Sequence, residues 1–215
     1  MYLAKHVHSL QYFAIKAISK NDTQLQPVGL AQVMAEREVL ARCSSGFIVK
    51  LHSTFQDEKN FYFCLEYMGG GNLRKILKKH YTLEGYEARY VAGQILIGLK
   101  YLHEEAMTMH RDLKPENVLL SESGDVKLSD FGLAKIGLTE AFSICGTRQY
   151  FAPEQLSEKG YDKKVDLWAF GCLLHELLVG RPPFADKNQA RLFERIKAVE
   201  PRFILGGIRF CKSRR

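Results

Sequence analysis

The sequence predicts an α+β fold in which a small, β-rich lobe precedes a larger helical lobe. Residues 1–66 contain short runs of β-branched and aromatic residues around one helical segment. After the glycine run MGGG (68–71), apolar residues recur at helical spacing over most of the chain. With 215 residues, 46% of them apolar, the chain is long enough to bury a sizeable core.

Two strands and one helix are predicted in the first lobe. The runs YFAIKAI (12–18) and FYFCLEY (61–67) have the composition of strands. Between them, LAQVMAEREVLARC (30–43) carries apolar residues at helical spacing and lacks glycine and proline, which favours a helix. We therefore assign residues 1–67 to the first lobe and residues 68–72 to a hinge.

The second lobe, residues 73–200, is predicted to be mainly helical. Two short strands, NVLL (117–120) and VKLS (126–129), flank the turn SESGD (121–125). Helical periodicity is found in the segments 72–80, 86–105, 165–180 and 188–199. The remaining residues, 201–215, form a divergent basic tail.

The charge distribution argues against a nucleic-acid partner. The formal net charge is +7, but residues 201–215 hold five basic residues and no acidic one, so the body of the chain is nearly balanced. Five widely spaced cysteines without a CxxC pair fit a reduced, cytoplasmic or also nuclear protein. The longest apolar run (167–180) is interrupted by His175 and Glu176 and is too short to span a membrane.

The stretch MHRDLKPENVLL (109–120) places an acid, a base and an amide close together between apolar residues. Phosphoryl transfer requires an acceptor hydroxyl held in line and negative charge neutralised, rather than covalent work by the protein. Asp112 can accept the hydrogen bond of that hydroxyl, Lys114 can contact the γ-phosphate, and Asn117 can ligate a metal. This stretch is therefore a candidate catalytic segment.

A second oxygen ligand for the metal is expected from SDFG (129–132). Its Asp130 follows Asn117 across the predicted hairpin. Mg²⁺ binds few carboxylates together with waters and phosphate oxygens, which suits one Asp and one Asn.

Four motifs together resemble the eukaryotic protein kinases. HRDLKPEN (110–117), DFG (130–132), APE (152–154) and DLWAFG (166–171) occur in the order and spacing of that family. The resemblance covers nearly the whole chain and implies a two-lobed kinase fold, ATP and Mg²⁺ as cofactors, and protein substrates.

The resemblance also implies a nucleotide site. In FAIK (13–16), Lys16 would hold the α- and β-phosphates and would pair with a glutamate of the following helix. Glu36 is the preferred partner because it stands four residues before Leu40, and Glu38 is the alternative. The residues implied around adenine are the gatekeeper Leu65, the backbone groups of Glu66 and Met68, and the apolar walls Ala14 and Leu119.

Within the family, the chain is most similar to serine/threonine kinases of the AGC group, which includes cyclic-nucleotide-dependent and ribosomal S6 kinases. Lys114 and the segment CGTRQYFAPE (145–154) match that pattern, although most of the group has tyrosine at the position of His110. The resemblance implies a regulatory set in which Ser143 is phosphorylated by an upstream activating kinase. This set consists of Ser143, Arg111, Lys135 and Thr147.

An acidic substrate pocket is implied as well. Glu116 and Glu176 would receive a basic residue two positions before the acceptor serine or threonine. Asn72 stands where the family often has an acidic residue, so the preference for arginine three positions before the acceptor should be weaker.

Both ends of the sequence depart from the family pattern. It begins at a point resembling the part just after the glycine-rich loop, and ILGGIRFCKSRR (204–215) replaces the expected last helices. Two functions therefore remain open: an active protein serine/threonine kinase, or a weakly active or inactive kinase fragment that binds a nucleotide or a partner. A third class, a small-molecule phosphotransferase, shares the catalytic logic, but the APE and DLWAFG motifs speak against it.

Overall fold

The computed structural model describes residues 1–21, 27–137, 140–157 and 159–201, and these residues form an incomplete two-lobed fold with a β-rich part and a helical part. The predicted tail from residue 202 onward lies outside the described residues. The small lobe contains one antiparallel sheet with the strand order β1-β2-β4-β3. Its strands are β1 (Tyr2–Lys5), β2 (Tyr12–Ser19), β3 (Leu51–Gln56) and β4 (Asn60–Glu66).

The two strongly apolar strands occupy the centre of this sheet, and the two strands without a clear sequence signal are its edges. β2 and β4 correspond to the two predicted strands. β3, with the sequence LHSTFQ, is exposed at five of its six positions, so it lacks the apolar alternation that identifies a half-buried strand. Helix α1 (Pro27–Arg42) follows β2, as predicted for residues 30–43, and buries Val33, Val39 and Leu40.

The large lobe contains the predicted helices with small shifts at their ends. They are α2 (Leu73–His80), α3 (Gly85–Glu104), α4 (Lys164–Val179) and α5 (Gln189–Lys197). The buried side of α3 includes Val91, Ile95, Leu99 and Leu102, which recur at helical spacing and pack into the main core. Of the described helices, none is both long and apolar enough to cross a membrane.

Two small sheets shape the region between the lobes. β5 (Gly71–Asn72), β7 (Val118–Leu120) and β8 (Val126–Leu128) form one, and β6 (Thr108–Met109) pairs with β9 (Lys135–Ile136) in the other. The glycine run is therefore more than a linker, since its last residue belongs to β5. A side chain at Gly70 would come within 2.5 Å of the Ser121 carbonyl, so glycine allows this close approach.

Backbone hydrogen bonds connect the small lobe directly to β8. Val49 N donates to Leu128 O at 2.9 Å, and Leu128 N donates to Phe47 O at 2.8 Å. One core cluster contains residues of both lobes, including the fully buried Phe131 and Leu128. The lobes are thus packed around the segment that carries the DFG sequence.

Candidate active site

The candidate catalytic segment is held by a buried carboxylate of α4. Asp166 accepts the backbone N–H groups of His110 at 2.9 Å and Arg111 at 2.8 Å, and His103 Nε2 lies 2.7 Å from the same carboxylate. Arg111 has a φ of 65°, a conformation that is uncommon for a residue with a side chain. The hydrogen bonds that Asp166 accepts therefore stabilise a strained turn directly before Asp112.

Asp112 is the centre of a cluster of polar side chains. Lys114 Nζ lies 2.6 Å from its Oδ2, and the Thr147 hydroxyl donates to its Oδ1 at 2.7 Å. Lys114 also donates to the Thr147 hydroxyl at 3.0 Å. Asn117 Nδ2 donates to the backbone carbonyl of Asp112 at 2.8 Å. The acid, base and amide that are close in sequence are thus also in contact in space.

Lys16 forms the ion pair expected of a strand lysine with the helix α1. Its Nζ lies 2.7 Å from Glu36 Oε1 and 2.9 Å from Asp130 Oδ1, so three distant parts of the sequence meet here. Glu38, the alternative partner, is exposed and pairs with Arg42 at 2.5 Å.

The charges in this cluster alter one another's protonation. Burial alone would lower the pKa of Lys16, but Glu36 and Asp130 outweigh it and raise that pKa. Burial raises the pKa of Asp130, whereas Lys16 lowers it by more, and the net shift is downward. For Glu36, burial exceeds the effect of Lys16 and the pKa is raised. The raised pKa of Lys16 keeps the cation at the centre of the cluster protonated.

One cleft between the lobes has a volume of about 350 Å³, a size in the range of small-molecule sites. Leu65 and Met68 are buried there, and Ala14 and Leu119 are half-buried on either side. Every residue that the sequence assigns to the nucleotide or the metal lines this cleft: Ala14, Lys16, Glu36, Leu65, Glu66, Met68, Asn117, Leu119 and Asp130.

Asn117 and Asp130 are brought together by the β7–β8 hairpin. Ser129, the neighbour of Asp130, donates its backbone N–H to Asn117 O at 2.9 Å and its hydroxyl to the same oxygen at 3.1 Å. Asn117 contacts Asp112 through its Nδ2 and not through its amide oxygen. One carboxylate and one amide oxygen on adjacent segments form a donor set that suits Mg²⁺.

The hinge end of the cleft contains an ion pair that sequence reasoning missed. Lys127 Nζ lies 2.7 Å and 2.8 Å from the two carboxylate oxygens of Glu66. The Glu66 backbone N–H donates to Lys50 O at 2.9 Å, and the Met68 carbonyl accepts from Gly71 N at 3.1 Å. Glu66 is thus fixed by neighbours on both lobes.

The predicted regulatory residues do not all lie together. Arg111 Nη1 donates to the hydroxyl of the exposed Ser143 at 3.0 Å. Lys135, which the sequence groups with Arg111, donates to the Glu140 carbonyl at 2.7 Å. Thr147 contacts Asp112 and Lys114 instead of the Ser143 region.

Glu116 and Glu176 are close together, but they share a cation of the same chain. Arg74 Nε lies 2.7 Å from Glu116 Oε1, and Arg74 Nη1 lies 2.6 Å from Glu176 Oε1. The Tyr150 hydroxyl forms a short hydrogen bond to Glu176. Burial and the Glu176 carboxylate raise the pKa of Tyr150. No sequence signal identifies Arg74 or Tyr150, since their partners are far away along the chain.

This fold and this site are those of a protein kinase, and the family model for the protein kinase domain matches residues 1–205. The chain therefore belongs to the protein kinase family.

Curated relatives match over nearly the whole chain. A probable serine/threonine-protein kinase of Dictyostelium discoideum is 37% identical over 95% of this chain and 46% of its own length. The cAMP-dependent protein kinase type 3 of Saccharomyces cerevisiae is 35% identical over 94% of this chain and 50% of its own length. The 3-phosphoinositide-dependent protein kinase 1 of Mus musculus is 38% identical over 94% of this chain and 36% of its own length. The chain thus spans half or less of the length of these relatives.

Proposed function

We propose that this chain is a serine/threonine protein kinase that transfers the γ-phosphate of ATP to protein substrates. The observation that carries the proposal is the contact of Lys16 with both Glu36 and Asp130 at the edge of a cleft that also contains Asn117. A lysine, a helix glutamate and a metal-binding aspartate are the parts that a kinase needs to orient phosphates. The serine/threonine names of the relatives support the same choice.

ATP would bind with its adenine between Ala14 and Leu119 and with its phosphates towards Lys16. The Glu66 carbonyl and the Met68 amide are the backbone groups that would meet the ring. Mg²⁺, held by Asn117 and Asp130, would neutralise charge on the phosphates.

The transfer step would depend on Asp112 and Lys114. Asp112 would accept the hydrogen bond of the substrate hydroxyl and orient it towards the phosphate, and Lys114 would offset negative charge on the transferred group. Thr147 supports this role because its hydroxyl holds one Asp112 oxygen at 2.7 Å.

Substrate choice, regulation and location belong to the same proposal. Protein substrates would carry basic residues near the acceptor. An upstream kinase would phosphorylate Ser143, whose phosphate would pair with Arg111.

The free thiols of Cys43, Cys64, Cys145 and Cys172 support action in a reducing compartment, cytoplasmic or also nuclear.

The proposal is tested by a phosphotransfer assay with radiolabelled ATP and a basic generic protein substrate. We expect Mg²⁺-dependent labelling of serine or threonine by the parent chain and loss of labelling in Asp130→Asn. Labelling of the Asp130→Asn chain within a few-fold of the parent would contradict the assignment. If neither chain labels a substrate although both bind ATP, the chain is a nucleotide-binding module instead.

A further inference from the structure

The acidic pair Glu116 and Glu176 lies beside the catalytic segment. Glu116 follows Asp112 by four residues in the short helix Pro115–Asn117, and Glu176 reaches it from α4. Glu176 is almost completely buried, with 2% of its side chain exposed, whereas 42% of Glu116 is exposed. A buried carboxylate is costly without a cation or strong donors, so Glu176 requires a partner.

Arg74 provides that partner from within the chain. Its guanidinium donates to Glu116 at 2.7 Å, to Glu176 at 2.6 Å and to the Tyr150 hydroxyl at 3.1 Å, and it thereby uses all three nitrogens. Burial by itself would lower the pKa of Arg74, but the hydrogen bonds to Glu176 and Glu116 raise it. The planar arrangement of donors in arginine suits such a site better than the single ammonium of lysine.

We propose that Arg74 is a specificity-determining residue that occupies the acidic site in place of a basic substrate residue. The inference rests on the proposed kinase function. Two carboxylates and one guanidinium leave a single net negative charge, and Glu116 is the more exposed of the two carboxylates. A substrate arginine two positions before the acceptor must therefore either displace Arg74 or form an ion pair with Glu116 only. The site therefore gives arginine at that one position little advantage over an uncharged residue.

The proposal is distinguished from a purely structural role of Arg74 by its dependence on the peptide. If Arg74 only stabilised the fold, its loss would affect the phosphorylation of all peptides equally, regardless of their sequence. If Arg74 competes with the substrate for the two carboxylates, its loss would affect only peptides with a cation two positions before the acceptor. The relevant quantity is thus the ratio of kcat/KM for two peptides that differ only in arginine or alanine two positions before the serine.

We would measure this ratio, and the ratio of Kd values by fluorescence anisotropy, in the parent chain and in variants of Arg74. In the parent, both ratios should stay below about threefold, which corresponds to less than 1 kcal/mol. Arg74→Met should raise the preference for the arginine peptide by about tenfold, mainly through KM, because the two carboxylates become available. Arg74→Lys keeps a cation but loses the planar set of donors, so its ratio should lie between those of the parent and Arg74→Met.

Two further variants complete the experiment. Lys79→Met removes an exposed cation at the far end of the same helix and should leave the ratio unchanged. If Arg74→Met does not fold because Glu176 is left unpaired, the double variant R74Q/E176Q removes both buried charges. In that variant Glu116 alone should select the arginine peptide over the alanine peptide more strongly than the parent does.

Equal ratios in the parent, Arg74→Met and R74Q/E176Q would overturn the inference, even if all of them phosphorylate both peptides. The proposed function can fail independently. If no variant transfers phosphate but the ratio of Kd values shifts as expected, the kinase activity is rejected and the role of Arg74 in peptide selection is supported.

Discussion

The Asp166 carboxylate accepts the backbone N–H of Arg111 at 2.8 Å and thereby fixes the turn before Asp112 from the interior of α4. Asp166 is fully buried, and it also accepts the N–H of His110. An acceptor from a rigid helix is a precise support for a catalytic residue on a turn, since it restrains the backbone directly.

Asp166→Ala should therefore lower both stability and activity. The substitution leaves three donors without their acceptor, and we expect the free energy of unfolding to fall by about 3–5 kcal/mol. Urea denaturation followed by circular dichroism measures this loss. Asp162→Asn, just before the same helix at a partly exposed position, is the matched control and should change stability by less than about 0.5 kcal/mol. Equal losses in the two variants would contradict the role of Asp166.

Removal of the Lys16 ammonium should abolish phosphoryl transfer. Lys16→Met keeps an unbranched apolar side chain but leaves Glu36 and Asp130 without their shared cation, so neither the phosphates nor the proposed metal ligand Asp130 is positioned. We expect at least about a hundredfold loss in kcat/KM, the size found for single groups that stabilise transition-state charge. Steady-state kinetics at saturating Mg²⁺ measures it. Glu38→Gln, at the exposed neighbour, should retain parental activity.

Phosphorylation of Ser143 should order residues 140–147. Arg111 already contacts the Ser143 hydroxyl at 3.0 Å, and a phosphate would replace this neutral contact by a charge-assisted one. After treatment with an activating kinase, the parent should gain activity and its residues 140–147 should become more resistant to limited proteolysis. Ser143→Ala should show neither change. Equal activity of the treated parent and the treated Ser143→Ala chain would count against this regulation.

Gly146 should be intolerant of even a methyl group. Its φ is 109°, and an added Cβ would lie 2.5 Å from the Arg111 carbonyl and 3.6 Å from Asp112 Oδ1. We expect Gly146→Ala to displace the catalytic turn and to lower kcat. Gly93→Ala is the control, because Gly93 lies within α3 and no atom apart from those of its chain neighbours and its own helix backbone lies within 4 Å of the added Cβ. It should leave activity unchanged and stabilise the chain by up to about 1 kcal/mol. An active, stable Gly146→Ala chain would refute the predicted clash.

The thiol of Cys43 should react slowly near neutral pH. Burial raises its pKa from 9.0 to about 11, so the protonated thiol is favoured in the folded chain. Its contribution to stability is complete below pH 9 and is lost as the pH rises through about 11. Iodoacetamide labelling followed by mass spectrometry should give an apparent pKa for Cys43 near 11. An apparent pKa near 9 would show that the thiol is not protected by burial.

The sequence predicted elements wherever local pattern and tertiary position agree. α3 has an apolar side that remains buried along its length, and β2 and β4 are apolar because they lie in the centre of the sheet. The edge strand β3 escaped prediction because its exposed side chains, apart from Phe55, are polar and show no apolar alternation, and its pairing with β4 makes it a strand. Likewise, spacing along the chain identifies the Lys16 motif but says nothing about cations contributed by distant segments.

Glu116 and Glu176 illustrate, within one site, the difference between residues that a motif identifies and residues that distant segments contribute. Their positions follow from the resemblance to a family, and the structure does bring them to one cation. That cation is Arg74, and its position depends on where α2 begins relative to α4, which no local pattern encodes. Prediction from sequence is therefore reliable for residues within a motif and weak for residues that complete a site from elsewhere.

The two backbone hydrogen bonds between residues 47–49 and Leu128 have a mechanical consequence. Leu128 is only two residues before Asp130, so a rotation of the small lobe that keeps these bonds also moves the DFG segment. Lys16 travels with the same lobe and contacts Asp130 at 2.9 Å. We therefore expect opening of the cleft to displace the Asp130 carboxylate as well, so that a ligand that widens the cleft would alter the proposed Mg²⁺ site without contacting it.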